Sequence, residues 1–224
     1  DITAEAGLAD ARETIGCAIG DFDADGLSDI YITAVGGNHL FRNAGSKGFE
    51  DVTEEAGVAE LNQVSLTAMF LDVDHDGDLD LIVANYGPLA DSDEMFRVKP
   101  YTGGVPNALF QNVGKSRTVD KTSIDQPPLE ARFAKVTGEK NPWNHTAATV
   151  GFAAADFDND GDLDLVEIND NSACRLLINR RLGQWPAEEF AEATVPRARY
   201  NGGPVGDFNS AYRIDLMLAS PDGP

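Results

Sequence analysis

The chain has 224 residues, a formal net charge of −21 from 38 acidic and 17 basic side chains, and only two cysteines. That length is ample for a hydrophobic core, and the charge argues against nucleic acid or an anionic membrane surface as partner. No apolar stretch has the length needed to span a bilayer, and two cysteines in 224 residues are too few for a disulfide scaffold.

In chain order the first predicted element is a small apolar strand leading into Asp21-Phe-Asp-Ala-Asp-Gly-Leu-Ser-Asp29. The same frame, D-x-D-x-D-G-x-x-D, returns as Asp72-Val-Asp-His-Asp-Gly-Asp-Leu-Asp80 and as Asp156-Phe-Asp-Asn-Asp-Gly-Asp-Leu-Asp164. Alternate residues of a tight loop turn inward together, so Asp21, Asp23, Asp25 and Asp29 can converge on one point. Asp72, Asp74, Asp76 and Asp80 form a second such set, and Asp156, Asp158, Asp160 and Asp164 a third. The glycine at position 6 permits a positive-φ turn. A hard cation that takes about six to eight oxygens suits this donor set, so Ca²⁺ is expected at three sites. Mg²⁺ prefers to keep its waters in a strict octahedron, and soft metals want clustered Cys or His. Glu167 also completes an EF-hand expression in the third copy, but Ile32 and Val83 hold that place in the other copies, and flanking helices are not predicted.

A fourth copy, Asp207-Phe-Asn-Ser-Ala-Tyr-Arg-Ile-Asp215, has Ala211 and Tyr212 where the frame has Asp and Gly. It is expected to bind no metal, with Arg213 neutralising Asp207 and Asp215. The first aspartates are spaced 51, 84 and 51 residues apart. A period near 50 falls in the range of propeller blades. Leu40-Phe-Arg-Asn43, Leu109-Phe-Gln-Asn112 and Leu176-Leu-Ile-Asn179 follow the loops in phase, as do Phe49-Glu-Asp-Val-Thr53, Phe133-Ala-Lys-Val-Thr137 and Phe190-Ala-Glu-Ala-Thr194. Each unit therefore reads as strand, acidic loop, strand, Leu-Phe strand, Phe-x-x-Val-Thr strand, which is a four-stranded antiparallel blade. The expected fold is all-β. Residues 1–224 form one propeller domain with units near 15–53, 65–137, 149–194 and 204–224.

These loops, with Leu-Phe-x-Asn and Glu50-Asp-Val-Thr-Glu-Glu-Ala-Gly57, resemble FG-GAP/VCBS repeats, above all the cartilage acidic protein and ASPIC/UnbV-type branch. The resemblance implies a β-propeller, usually seven-bladed as in integrin α heads, with Ca²⁺ in the hairpin between a blade's first two strands. It also implies a secreted or exported interaction module. Seven units of about 51 residues need well over 350, so the chain is expected to supply about three and a half blades. Another chain or a missing segment is then expected to complete the ring. Ca²⁺ at useful concentration implies an extracellular or periplasmic setting.

Insertions at 85–108 and 113–132 and the loop 141–146 are the candidate surface for a protein or glycan partner. Trp143, Phe96, Tyr101 and Tyr200 serve there either as binding anchors or as packing. Cys17 and Cys174 are expected to be separate buried thiols, and His75 a solvent-facing loop residue. No nucleophile elbow, zinc-protease motif or complete phosphate-binding loop occurs, so no catalytic residue or organic cofactor is assigned. The leading function is a non-catalytic, Ca²⁺-stabilised interaction or adhesion module or accessory subunit. A polysaccharide-active lyase or hydrolase on a propeller is the alternative.

Overall fold

The computed structural model describes residues 1–9, 13–92, 103–114, 133–170, 172–180, 187–189, 203–210 and 214–219. Its strands form a first sheet of β1 (Thr14–Gly20), β2 (Asp29–Ala34), β3 (His39–Asn43) and β4 (Phe49–Asp51). The second contains β5 (Gln63–Leu71), β6 (Asp80–Pro88), β7 (Ala108–Asn112) and β8 (Phe133–Lys135). The third contains β9 (Thr149–Ala155), β10 (Asp164–Asn169), β11 (Arg175–Leu177) and β12 (Ala187–Glu189). β13 (Val205–Gly206) and β14 (Asp215–Leu216) pair as a two-stranded fourth sheet. In each of the first three sheets the strands lie in sequence order and every neighbour is antiparallel. The architecture is thus all-β, built of propeller-type blades, with almost no helix. Among the described residues no helix is long and apolar enough to cross a membrane.

The outermost strands are shorter than the Phe-x-x-Val-Thr phrase suggests. β4 stops at Asp51 because Asp51 Oδ1 accepts the N–H and hydroxyl of Thr53, and Thr53 opens one helical turn (Thr53–Ala56). That turn ends on Gly57 at φ +72°, the left-handed cap that glycine adopts without strain. Thr53 Oγ1 also accepts the N–H of Leu40, so the threonine locks the turn to β3. In the third sheet the corresponding phrase, 190–194, lies outside the described residues.

The sheets stack face to face. Ala18, Phe22, Tyr31 and Leu40 of the first unit pack on Ala68, Leu81, Val83 and Phe110 of the second. Val73, Ile82 and Leu109 pack on Trp143, Leu165 and Leu177 at the next seam. Ala153, Val166, Ile168 and Cys174 meet Val205, Leu216 and Leu218 at the third. β6 and β10 are buried almost throughout because sheets cover both of their faces. Small residues let the sheets approach. A Cβ on Gly16 would lie 2.6 Å from the Leu66 carbonyl oxygen, so only glycine fits there.

Polar staples close the first two seams away from the acidic loops. Asn38 Oδ1 accepts the Ala34 N–H, and its amide donates to Ser65 Oγ on the next sheet (2.9 Å); Ser65 in turn donates to Asn85 (2.8 Å). The second seam repeats the pattern: Asn107 Oδ1 accepts the Asn85 N–H, its amide donates to Thr149 (2.9 Å), and Thr149 donates to Asn169 (2.9 Å). All six side chains are buried, where an unmet polar group is costly.

Candidate metal centre

Each acidic loop is a hairpin connection whose shape comes from its own carboxylates. Asp21, Asp72 and Asp156 accept the N–H of Gly26, Gly77 and Gly161 at 2.9, 3.1 and 3.0 Å. The glycines sit at φ +92°, +93° and +94°, as the position-6 reading requires. Position 4 is also left-handed, at Ala24, His75, Asn159 and Ser210 (φ +52° to +61°). Four different residue types occupy that position, so the frame carries no sign of it.

Folding brings carboxylate oxygens of positions 1, 3 and 9 within 4.8 Å of one another in three groups: Asp21/Asp23/Asp29, Asp72/Asp74/Asp80 and Asp156/Asp158/Asp164. Asp25, Asp76 and Asp160 lie outside these triads. Each accepts the N–H two residues on, from Leu27, Asp78 and Asp162, at 2.8, 2.9 and 2.9 Å. These are Asx turns that hold the loop's far side.

Position 9 has a second role that the sequence does not announce. One oxygen of Asp29, Asp80 and Asp164 accepts the N–H of position 2 (Phe22, Val73, Phe157) at 3.1, 3.0 and 2.7 Å. The other accepts the N–H of Asn43, Asn112 and Asn179 at 2.8, 2.7 and 2.8 Å. The buried carboxylate thus ties its loop to the third strand. The Leu-Phe-x-Asn asparagine then reaches across the seam: Asn112 donates to Phe22 O (2.9 Å), and Asn179 to Val73 O (3.5 Å). In the fourth unit Phe208 still donates to Asp215 (3.1 Å), so the tie outlasts the changes at positions 5 and 6. Residues 211–213, with the expected Arg213 contact, lie outside the described residues.

Burial pushes the carboxyls of Asp29 and Asp80 up to about 7, and the charges of Asp23 and Asp25, or of Asp74 and Asp76, push the same way. Asp164 is raised for the same reasons. The backbone N–H donors oppose this only in part. Asp72 Oδ1 is buried and accepts no hydrogen bond. Converging carboxylate oxygens at half-buried sites, with one of them unmatched in the second, fit a hard divalent cation.

Glu167, at the EF-hand position, turns away from the third loop. It is fully buried in the second seam, where Asn107 donates to its Oε1 (2.8 Å), Thr149 Oγ1 lies 3.0 Å from the same oxygen and His145 Nε2 lies 3.2 Å from its Oε2. His75 is partly exposed, yet its Nε2 lies 3.3 Å from Asp162 of the neighbouring loop. Cys174 is buried, but Cys17 is exposed, because among the described residues no sheet covers the outer face of β1; both are free thiols. Trp143 is fully buried and packs on Phe152 at 5.6 Å, which settles it as packing and not as a binding anchor. Of the insertion 85–108, residues 85–88 complete β6 and Ala108 begins β7. Phe96, Tyr101, Tyr200 and most of 113–132 lie outside the described residues.

Residues 21–83 match the family model described as FG-GAP-like repeat. The chain is 28% identical over 228 residues to cartilage acidic protein 1 of Mus musculus and 27% identical to that of Homo sapiens. Each alignment takes in 98% of this chain but 30% of the relative, so the chain spans under a third of their length. A solved Agrocybe aegerita lectin, described for recognition of non-reducing terminal N-acetylglucosamine, superposes with a TM-score of 0.46 at 15% identity, over 93% of this chain and 47% of that one. Residues 21–83 are therefore similar to an FG-GAP-like repeat, within a chain similar along almost its whole length to cartilage acidic protein 1.

Proposed function

We propose that the three loops hold Ca²⁺ and that the chain is a calcium-stapled, exported interaction module without catalytic activity. The convergence of three carboxylates in each of three loops carries this reading. Asp21, Asp23, Asp25 and Asp29 would hold the first ion, Asp72, Asp74, Asp76 and Asp80 the second, and Asp156, Asp158, Asp160 and Asp164 the third. The ion supplies charge neutralisation and a fixed hub, not a reactive centre. The second and third loops lead through position 9 and the asparagine amide to a neighbouring sheet, so holding the loop holds the seam. Similarity to proteins named for cartilage supports an extracellular or periplasmic placement, where Ca²⁺ is abundant.

The three histidines belong to the same framework. Each faces a carboxylate in a pair that ties two parts of the fold: His39 to Asp51 (2.9 Å), His75 to Asp162 and His145 to Glu167. The partner, protein or glycan, would meet the segments 85–108 and 113–132. Calorimetric titration of Ca²⁺ into chelator-stripped protein tests the metal reading. We expect three ions per chain, and one fewer in each of Asp23→Ala, Asp74→Ala and Asp158→Ala. Absence of binding, or four ions, contradicts it.

A further inference from the structure

The three acidic loops share a frame, but the second is tied to itself less firmly than the other two. In the first loop the N–H of Asp25, at position 5, is shared between Asp21 Oδ1 (3.0 Å) and Asp23 Oδ1 (3.2 Å). In the third the N–H of Asp160 is shared between Asp156 Oδ1 and Asp158 Oδ1, both at 3.1 Å. In the second loop Asp76 donates to Asp74 Oδ1 at 3.3 Å and not to Asp72. Asp72 Oδ1, the counterpart of Asp21 Oδ1 and Asp156 Oδ1, is buried and accepts no hydrogen bond.

The second loop is held from outside instead. Gln111 of β7 donates to Asp74 Oδ2 (2.5 Å), where the other units have Arg42, turned to Glu50, and Ile178. His75, at position 4, places its Nε2 3.3 Å from Asp162 Oδ1, at position 7 of the third loop. Position 7 is exposed Leu27 in the first loop and half-buried Asp78 in the second, whereas the Asp162 side chain is only 2% exposed. Position 4 of the first loop is Ala24, whose side chain ends at Cβ and cannot extend to Asp78 as His75 extends to Asp162. Among the described residues this imidazole contact therefore joins the second and third loops and has no equivalent between the first and second.

We propose that the second and third loops take up their cations as a coupled pair, with His75 as the link, and that the first loop stands outside that link. The inference rests on the Ca²⁺ reading and concerns how two of its sites regulate each other. His75 lies between Asp74 and Asp76, two candidate ligands of the second loop, so ordering those carboxylates orders the imidazole. Asp162, which the imidazole meets, donates its N–H to Asp160 (2.9 Å) and stands two residues before Asp164, so ordering Asp162 orders the third loop. A loop that is already ordered has less conformational freedom to lose on binding, which is positive coupling without a change of fold. By linkage the effect is the same in either direction. Repulsion between the two cations acts the other way, but it is screened over a Debye length of about 8 Å at physiological salt. The side-chain link is not screened.

Calorimetric titration of Ca²⁺ into chains that keep chosen sites tests the coupling. Asp23→Ala keeps the second and third sites together, and adding Asp74→Ala or Asp158→Ala leaves one of them. The two-ion binding constant of Asp23→Ala should exceed the product of the two single-site constants by about fivefold or more. His75→Ala, made in each of these chains, brings that ratio to one or below. Alanine and asparagine already occupy position 4 of the first and third loops in the same left-handed conformation, so His75→Ala and His75→Asn both keep the loop backbone. A loss common to both is a loss of the imidazole's reach. Hydrogen exchange gives a second readout. In Asp23→Ala/Asp158→Ala, which lacks the third site, Ca²⁺ in the second loop slows exchange of the Gly161 and Asp162 N–H groups, and His75→Ala abolishes the slowing. The first site, measured in Asp74→Ala/Asp158→Ala, does not respond to His75→Ala. A ratio of one with His75 in place, a ratio that survives both substitutions, third-loop amides that do not respond, or a first site that does, overturns the coupling and leaves the metal reading standing. Failure of every chain to take up Ca²⁺ overturns both.

Discussion

A single carboxylate type performs two different tasks in these loops, and position decides which. Asp80 is buried and accepts two backbone N–H groups, whereas Asp76 sits at an exposed turn and accepts one. Asp80→Ala should therefore destabilise the protein by about 2 kcal/mol or more even under chelation, because two buried donors lose their partner. Asp76→Ala should stay within about 1 kcal/mol under chelation and weaken Ca²⁺ binding instead. Urea unfolding with and without metal separates the two. Equal losses in chelated protein would remove the distinction. The aspartate frame was fully legible in the sequence, but the buttress was not: one letter stands for both a solvent-facing turn residue and a buried tie.

At the scale of elements, the seam depends on side chains that are missing as much as on those present. Gly16 lets β1 approach the Leu66 carbonyl, and Gly20 does the same for Phe70, whose ring carbons would lie 2.8–2.9 Å from an added Cβ. Gly16→Ala should cost about 1–3 kcal/mol by forcing the first two sheets apart. The measurement is the urea midpoint, with an unchanged slope showing that the fold is kept. A neutral effect would mean that the sheets slide freely. The strand order, the loop positions and the Leu-Phe-x-Asn strands were legible because strand periodicity and loop chemistry are local. The Asn38–Ser65 and Asn107–Thr149 staples were not, because asparagine and serine near a turn read as ordinary turn residues until the next sheet arrives.

Across the whole molecule, three clusters of like charge must be held in one stack of sheets. A site at a hundredfold excess of free metal over Kd contributes about 2.7 kcal/mol. Three such sites rival the roughly 5–15 kcal/mol of net stability usual for a domain. Chelation should lower Tm by on the order of 20 °C for a chain of this size. Scanning calorimetry in Ca²⁺ and in chelator checks this, and superimposable curves would remove the staple role.

The sequence by itself determined the repeat, the strand order within a unit and the aspartates that surround each candidate ion. Those features are written within about ten residues and need no knowledge of what packs on them. Only the tertiary structure decided that Trp143 is core, that Cys17 is exposed, that Glu167 belongs to a seam and not to a metal loop, and that Asn112 and Asn179 link neighbouring units. Each of these depends on which face of a strand meets the next sheet, and that contact joins residues up to about a hundred positions apart in the chain, as Asn179 does with Val73.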